Sequence, residues 1–363
     1  MIVNAGYRGK VGAALNFTYT GKYNIRKDGV VELLTSGTIV FLEPKVIDVF
    51  MVGGGGSGIK RSGPVNSGYG GGGGGYTRTV RRINVSANTN ITVTVGAGGV
   101  AENSGGSSAF SNYAVNGGVN GGIPGGGKGG SGGGSGVTSN SNYGAGGSDG
   151  GNGEDGEGGG SASKPGGSGQ GFTTREFGEA AGKLYAGGGG GGRYMVSATP
   201  IISIGGSGGG GSGAWVGTNN SQAAAAGVAN TGGGGGGGAN HLTNIIVDGA
   251  SGGSGIVCFR DAQELPELAG TWVLNERMYA PENNFDETIN FTGITTTGVT
   301  RSYKRVYTSG GILYCQQTSG SIDVWYTFST NNWALTFRTM VFDSGATASD
   351  AFRAWLASNA TKQ

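Results

Sequence analysis

Charge, histidine and cysteine are all scarce in this chain. Charged residues make up 13% of the sequence and nearly balance, with 24 lysines and arginines against 22 aspartates and glutamates. So few and so evenly matched charges generate no strong field for nucleic acid or an acidic membrane surface. One histidine and two widely spaced cysteines form neither a zinc site nor a redox motif. We therefore predict no nucleic-acid partner, no metal and no cofactor.

Long apolar runs are missing as well. No stretch approaches the ~20 apolar residues that a membrane-spanning helix needs. The first ten residues lack the apolar core of a signal peptide. The sequence thus predicts no membrane insertion and production in the cytoplasm without an export signal. Release by cell lysis and a cytoplasmic location both fit this observation.

Glycine is what the sequence has in abundance. Most of the 86 glycines lie between residues 52 and 255, in runs such as 70–75 and 232–238. Such a composition usually indicates disorder. Here, however, single large apolar residues such as Tyr69, Tyr185 and Trp215 interrupt the runs, whereas flexible linkers contain little besides glycine and serine. We therefore predict that this region is ordered.

Polyproline-II helices offer a way to order glycine. Such a helix has three residues per turn and no internal hydrogen bonds, so its backbone groups must pair with neighbouring helices. Ordering one residue costs about 1–2 kcal/mol, while one hydrogen bond returns about 0.5–1.5 kcal/mol. A bundle of these helices therefore needs a conventional core to hold its ends. The flanking β-branched segments, among them residues 45–52 and 76–83, predict an antiparallel β module for that purpose.

A change of composition near residue 261 divides the chain. We predict an N-terminal arm and first hairpin (1–35), a glycine-rich domain of β-strands and polyglycine helices (36–260), a linker (261–268) and a C-terminal β domain (269–363). The last should contain six strands and a helix over residues 349–360, with Ser349 as N-cap and with Phe352, Trp355 and Leu356 on its apolar face. The predicted fold class is mainly β: an antiparallel β-sandwich module that carries a bundle of polyglycine helices, plus a small C-terminal β domain with a terminal helix.

Several segments of the glycine-rich region resemble a known domain. They are SGTIVFLEPKVIDVFMVGGGGSG (36–58), GGGGGYT (71–77), TTREFGEAAGKLYAGGGGGG (173–192) and GGSGIVCFR (252–260). These segments resemble the glycine-rich domain of phage and prophage tail proteins, particularly those of Gram-positive hosts. The domain type is also similar to the glycine-rich extracellular region of the anaplastic lymphoma kinase family, in which a β-sandwich carries polyglycine helices.

The resemblance implies a structural component of a phage tail or tail-like particle, such as a tail fibre or baseplate protein. It would display a host receptor-binding surface and reside in the virion or an extracellular particle. Its implied partners are other tail proteins, contacted through the N-terminal arm, and a glycan or protein of the host surface. The resemblance leaves open a homo-oligomer such as a trimer. The alternatives are a purely architectural virion protein, a tail-associated glycan hydrolase and a glycine-rich matrix protein; we predict that the protein is not an enzyme.

Recognition has to come from side chains, which polyglycine helices lack. Binding surfaces are enriched in aromatic residues and arginine, with small polar residues and asparagine as adaptable partners. Two segments have this composition, residues 103–120 and 214–230. Their candidate binding residues are Phe110, Asn112 and Tyr113 in the first and Trp215, Asn219 and Asn220 in the second. The alternative is that Trp215 and Tyr113 pack against the β module.

The remaining motifs favour structural roles. Cys258 and Cys315 are predicted to be buried free thiols, and His241 a residue of a loop or rim. Residues 150–158 (GGNGEDGEG) predict a solvated acidic loop, although calcium would suit their oxygen ligands. In the group Arg175, Glu176 and Glu179 we expect the arginine to pair with a glutamate and to cap backbone groups. The alternative for the two glutamates is acid–base cleavage of a glycan.

Overall fold

The computed structural model describes 13 ranges of the chain: residues 16–59, 67–123, 125–136, 174–179, 182–194, 202–241, 245–262, 265–274, 286–294, 298–309, 312–318, 322–326 and 339–363. The chain divides into two compact units, residues 1–262 and 263–363. Within the described part, no helix has the length and apolar character that a membrane crossing requires.

The described residues of the first unit form sixteen short strands and one 3-10 turn, Glu176–Gly178. The strands are β1 Phe17–Tyr19, β2 Tyr23–Ile25, β3 Val31–Leu33, β4 Gly37–Phe41, β5 Lys45–Val52, β6 Ser67–Gly68, β7 Thr77–Val85, β8 Asn90–Thr94, β9 Ser108–Phe110, β10 Tyr113–Val115, β11 Arg193–Tyr194, β12 Trp215–Val216, β13 Ser221–Gln222, β14 Ala239–Asn240, β15 Ile246–Val247 and β16 Ile256–Asp261.

Two five-stranded antiparallel sheets form the core of this unit. Their strand orders are β1-β4-β8-β9-β10 and β2-β3-β16-β5-β7. Alternate residues of both sheets meet in one apolar cluster, which includes Phe41, Val49, Phe110 and Phe259. The mainly β, antiparallel architecture predicted from the sequence is therefore confirmed.

Strand β5 is buried on both faces, which explains its nearly continuous apolar sequence. Val49 and Met51 face the cluster between the sheets, whereas Phe50 and Val52 pack on the opposite face of the same sheet. The predicted bounds of this strand, residues 45–52, match the structure. The first hairpin predicted within residues 1–35 is also present: β2 pairs with β3 around a turn at residues 27–29, where Gly29 has a φ of 85°.

Glycine segments leave the sandwich at one end. The end of β5 lies opposite the beginnings of β7 and β16, with Val52 paired to Thr77 and to Ile256. Strands β8 and β10 continue into glycine-containing segments, and another such segment leads into β9, at the same end. Ser108 marks this junction, because its hydroxyl donates to the carbonyl of Val52 (2.6 Å) and accepts from the N–H of Gly96 (2.9 Å).

We call the packed set of these segments the glycine lattice; its members are residues 53–59, 69–76, 96–106, 116–123, 125–136, 186–192, 202–214, 223–238 and 248–255. Along residues 53–59 the N–H groups donate to three neighbouring segments in turn, and the order repeats every third residue. Gly53, Gly56 and Ile59 donate to Tyr76, Gly73 and Gly70; Gly54 and Ser57 donate to Gly106 and Asn103; Gly55 and Gly58 donate to Gly253 and Ala250.

The lattice joins both antiparallel and parallel neighbours. In the pairs just given, the acceptor number falls as the donor number rises, so those segments run antiparallel. Gly187, Gly190 and Arg193 instead donate to Gly208, Gly211 and Ala214, which makes these two segments parallel. Burial follows the same three-residue repeat at the edge of the lattice: residues 97 and 100 are exposed, while 96 and 99 are buried.

The buried glycine positions of the lattice have no room for a side chain. A Cβ atom at Gly54 would lie 2.0 Å from the carbonyl oxygen of Ala97, and one at Gly234 would lie 2.0 Å from that of Gly72. These separations are far below ordinary van der Waals contact. Only glycine therefore allows the backbones to approach closely enough for these hydrogen bonds.

Two small sheets close the lattice at the end away from the sandwich. Their strand orders are β11-β12-β13 and β15-β14-β6. Gly238 donates to Ile59, the last described residue of the segment that leaves β5, and β14 begins at the next residue. Ala214, Val216 and Ala239 form a small apolar cluster between the two sheets. We call this part of the molecule the distal end.

The second unit is one antiparallel sheet covered by a helix. Its elements are β17 Gly270–Leu274, β18 Asp286–Glu287, β19 Phe291–Ile294, β20 Thr300–Ser309, β21 Ile312–Gln317, β22 Ile322–Tyr326, β23 Thr339–Phe342, helix α1 Asp350–Asn359 and β24 Ala360–Lys362. The strand order is β22-β21-β20-β19-β23-β17-β24, and β18 pairs with β20.

The terminal helix confirms one prediction and corrects another. The Ser349 hydroxyl accepts from the N–H of Phe352 (3.2 Å), and Phe352, Trp355 and Leu356 are buried in the core of the unit. The helix ends at Asn359 rather than at Ala360, because the last residues pair with β17 as strand β24. The sequence also predicted six strands for this unit, whereas its described residues form eight, because residues 286–294 contain both β18 and β19 and the last residues form β24.

Gly235→Ala tests the steric constraint inside the lattice. Its Cβ would lie 2.1 Å from the carbonyl oxygen of Ala250. The backbone must move, and overpacking of this kind costs about 1–3 kcal/mol of unfolding free energy. Denaturant unfolding should show this loss. The matched control is Ala225→Val on the exposed edge of the same lattice, which should change the midpoint little; a wild-type midpoint for Gly235→Ala would contradict the constraint.

Residues 263–363 should fold by themselves, because their sheet and helix enclose their own core. In that fragment Trp355, which is 5% exposed, should be an anchor, and Trp355→Ala should lower the unfolding free energy by about 3–5 kcal/mol. Lys304→Ala on the exposed surface is the control. A fragment without a cooperative thermal transition would refute independent folding.

Candidate functional site

The two predicted binding segments lie at different ends of the first unit. Phe110 belongs to β9 of the sandwich and is fully buried in its core. Asn112 is exposed in the turn that follows, and Tyr113 packs against the core while Arg78 lies 5.6 Å from its ring centre. A buried phenylalanine cannot contact a receptor, so Phe110 is corrected from a binding residue to a core residue.

The second predicted segment lies at the distal end. Trp215 is 3% exposed and belongs to β12, so its ring is buried at the distal end and does not pack against the β module as the alternative interpretation had it. Asn219 and Asn220 are exposed in the turn between β12 and β13, closed by a hydrogen bond from the N–H of Gly217 to the carbonyl of Asn220 (2.8 Å). The structure therefore separates Asn112 from Asn219 and Asn220 by the length of the lattice.

At the distal end short paired strands again carry side chains. The side-chain oxygen of Asn240 accepts from the N–H of Ser67 (3.1 Å), which joins β14 to β6. His241 is buried there, and its backbone N–H donates to the carbonyl of Ile245 (3.0 Å). Strands β11 and β12 run parallel, with Arg193 opposite Trp215, and β13 places Gln222 on the other side of Trp215.

A charged cluster lies on the outer face of the sandwich, away from the distal end. Residues 174–179 and 182–186 cover this face through Phe177 and Tyr185, which pack with Phe50 and Cys258. Glu176 is buried and accepts two hydrogen bonds from Arg26 (2.7 and 2.8 Å) and one from the hydroxyl of Tyr185 (3.2 Å). Arg26 also pairs with the exposed Asp28 (2.6 Å).

Asp48 is the buried centre of a second group of charges. It accepts from Arg81 (3.3 Å), from Arg260 (3.5 Å) and from the N–H of Arg82 (3.0 Å) at a β-bulge where Arg82 has a φ of 54°. Arg260 pairs with Glu179 as well (2.5 Å). The sequence analysis did not identify Asp48 as a buried charge, although a single carboxylate inside an apolar strand indicates one.

These contacts correct the prediction for Arg175. In the described part of the chain Glu176 and Glu179 pair with Arg26 and Arg260, whereas Arg175 donates to the carbonyl of Gly182 (3.1 Å). The predicted capping of backbone by Arg175 is therefore present, but its pairing with a glutamate is wrong. Arg81 is likewise turned inward, donating to the carbonyl of Phe177 (2.5 Å).

The two cysteines are buried free thiols, as predicted. Burial raises the pKa of the Cys258 thiol well above its ordinary value, with the carboxylates of Glu176 and Glu32 adding to the shift. Within the described ranges no group of three or more potential metal ligands occurs. The acidic segment 150–158 and the N-terminal arm up to residue 15 lie outside the described residues.

The comparisons with known proteins add one match. Residues 35–261, more than half of the chain, match a protein family described as a glycine-rich domain. A search of curated proteins found no match.

Glu176→Gln tests whether the charged cluster holds residues 174–179 and 182–186 on the sandwich. Removing one partner of a buried ion pair costs roughly 3–5 kcal/mol, and here Arg26 would keep only the partners nearer the surface. Asp28→Asn is the matched control, because it removes an exposed partner of the same arginine, and exposed pairs contribute about 0–1 kcal/mol. Equal losses in denaturant unfolding would contradict this difference.

Proposed function

The chain belongs to the glycine-rich domain family, and from that premise we propose that it is a structural component of a phage tail or tail-like particle that displays a host receptor-binding surface. The observation that carries the proposal is the glycine lattice, which holds the distal end away from the sandwich through backbone hydrogen bonds. A frame built mainly from glycine backbone is better suited to presenting a binding surface than to catalysis, since loops on rigid scaffolds commonly carry the residues that bind ligands.

We propose further that the lattice segments are polyglycine helices of the polyproline-II type. Three observations support this: hydrogen-bond partners change with a three-residue repeat, burial at the edge follows the same repeat, and a Cβ atom at the buried glycines would collide with neighbouring backbone. Three residues per turn is the periodicity of that helix. The proposal relates the chain to phage tail proteins and to the anaplastic lymphoma kinase region, which the sequence resembles.

The proposed binding surface is the turn between β12 and β13. Asn219 and Asn220 are exposed on this turn, and the buried Trp215 lies at the start of the same hairpin. The two amide groups are therefore held by a well-packed part of the structure. The preferred ligand class is a glycan of the host surface, with a host protein as the alternative. The proposal places the protein in the virion or an extracellular particle, attached to other tail proteins through its N-terminal arm, and leaves its oligomeric state open.

The competing functions have distinct signatures. A purely architectural tail protein would be present in purified particles but would not adhere to cells. A glycan hydrolase would release sugars, yet Glu176 and Glu179 are engaged by arginines that join them to the sandwich, which favours a non-enzymatic role. A glycine-rich matrix protein would be absent from particles.

The double variant Asn219→Ala, Asn220→Ala should strongly reduce adhesion of the isolated protein to host cells while leaving the melting temperature unchanged, because both side chains are exposed. Asn112→Ala, an equally exposed amide at the sandwich, is the matched control. Loss of adhesion in Asn112→Ala alone would move the receptor site to the sandwich, and no adhesion by the wild type would favour the architectural alternative.

A further inference from the structure

At the distal end two hydrogen-bond donors are buried without a partner. They are Trp215 Nε1 and Arg193 Nε, and no described residue accepts from either atom. A buried donor left unpaired costs about 1–3 kcal/mol. Such groups are rare in native proteins, and each calls for an explanation.

The strand register brings the two donors to the same face of one small sheet. Arg193 on β11 is the partner of Trp215 on β12, and Trp215 is the partner of Gln222 on β13. The neighbouring Val216 packs into the apolar cluster on the opposite face, because successive side chains of a strand alternate. Arg193, Trp215 and Gln222 therefore form one row across the sheet; we call it the distal row.

The chemistry of the distal row defines what would complete it. An indole N–H and a guanidinium can only donate hydrogen bonds. The planar fork of arginine matches the paired oxygens of a carboxylate or a phosphate. Arg193 is only half-buried and Gln222 is exposed, which gives a ligand access from solvent.

We propose that the distal row binds the anionic group, a carboxylate or a phosphate, of an acidic host glycan. The Arg193 guanidinium would donate hydrogen bonds to two oxygens of the anionic group, and Trp215 Nε1 would donate to one of these oxygens. Gln222 would contact the neighbouring sugar hydroxyls. This proposal rests on the proposed receptor-binding function and specifies its ligand class. It also gives a reason for the cross-strand placement of an arginine beside a tryptophan at the end of a glycine run.

The test is calorimetric titration of the full chain with three probes: glucuronate for the carboxylate source, glucose 6-phosphate for the phosphate source, and glucose as the neutral control. A hydrogen bond to a charged group corresponds to a factor of roughly 10–100 in affinity. At least one anionic probe should therefore bind at least about tenfold more tightly than glucose, and the better probe identifies the source.

Two variants locate the site. Arg193→Gln should weaken binding of the anionic probe roughly 10–100-fold, and Trp215→Phe, which keeps an aromatic ring but removes the donor, should weaken it about tenfold. Tyr194→Phe, next to Arg193 but on the opposite face of the sheet, should bind like the wild type. Melting temperatures close to the wild type show that each variant is folded.

Two outcomes separate this inference from the function on which it rests. If neither anion binds, or if Arg193→Gln binds as well as the wild type, the distal row is not an anion site, even where the protein still adheres to host cells. If the anions bind with the expected variant pattern but the protein does not adhere to cells, the anion site stands and the receptor-binding function fails.

Discussion

The close approach of backbones without side chains is the constraint on which the structure depends. In the glycine lattice the N–H groups find their acceptors in neighbouring segments, at distances such as 2.9 Å between Gly56 and Gly73. A Cβ at interior positions would collide with a carbonyl oxygen. One hydrogen bond returns about 0.5–1.5 kcal/mol, which is close to the cost of ordering one backbone residue. The lattice alone is therefore marginal and requires support at its ends.

The sandwich provides that support. Because β5 is buried on both faces, its end is fixed, and the paired ends of β7 and β16 fix the starting points of two more segments. The covering residues 174–179 and 182–186 are held by the pair of Glu176 and Arg26, and the second of these ranges leads into the lattice at Ala186. Conventional apolar packing and buried ion pairs thus set the register of a region that has almost no side chains of its own.

The separation between a glycine lattice and the side-chain-bearing parts of the molecule limits where a ligand could be recognised. The buried glycines of the lattice present no side chains that could discriminate among ligands. The proposed recognition would therefore use side chains elsewhere: at the distal end, at the sandwich or in the C-terminal unit. Of these, the distal end carries exposed amides and a row of donors on short, fully framed strands. Its rigidity would limit the conformational entropy lost on binding, which is how preorganised surfaces gain affinity.

Much of the local structure could be predicted from the sequence by itself. The continuous apolar run of β5, the hairpin at residues 27–29, the N-cap at Ser349 and the burial of Cys258 and Cys315 all have local or compositional signals. Only the tertiary structure decided the partners of Glu176 and Asp48, the pairing of β24 with β17, and the separation of Phe110 from Trp215. Glu176 and its partner Arg26 are 150 residues apart, and a glycine run has the same sequence whichever neighbour it bonds. Backbone hydrogen bonds between distant segments do not depend on which residues form them. Packing alone therefore determines the register of these segments and, with it, the arrangement of the distal row.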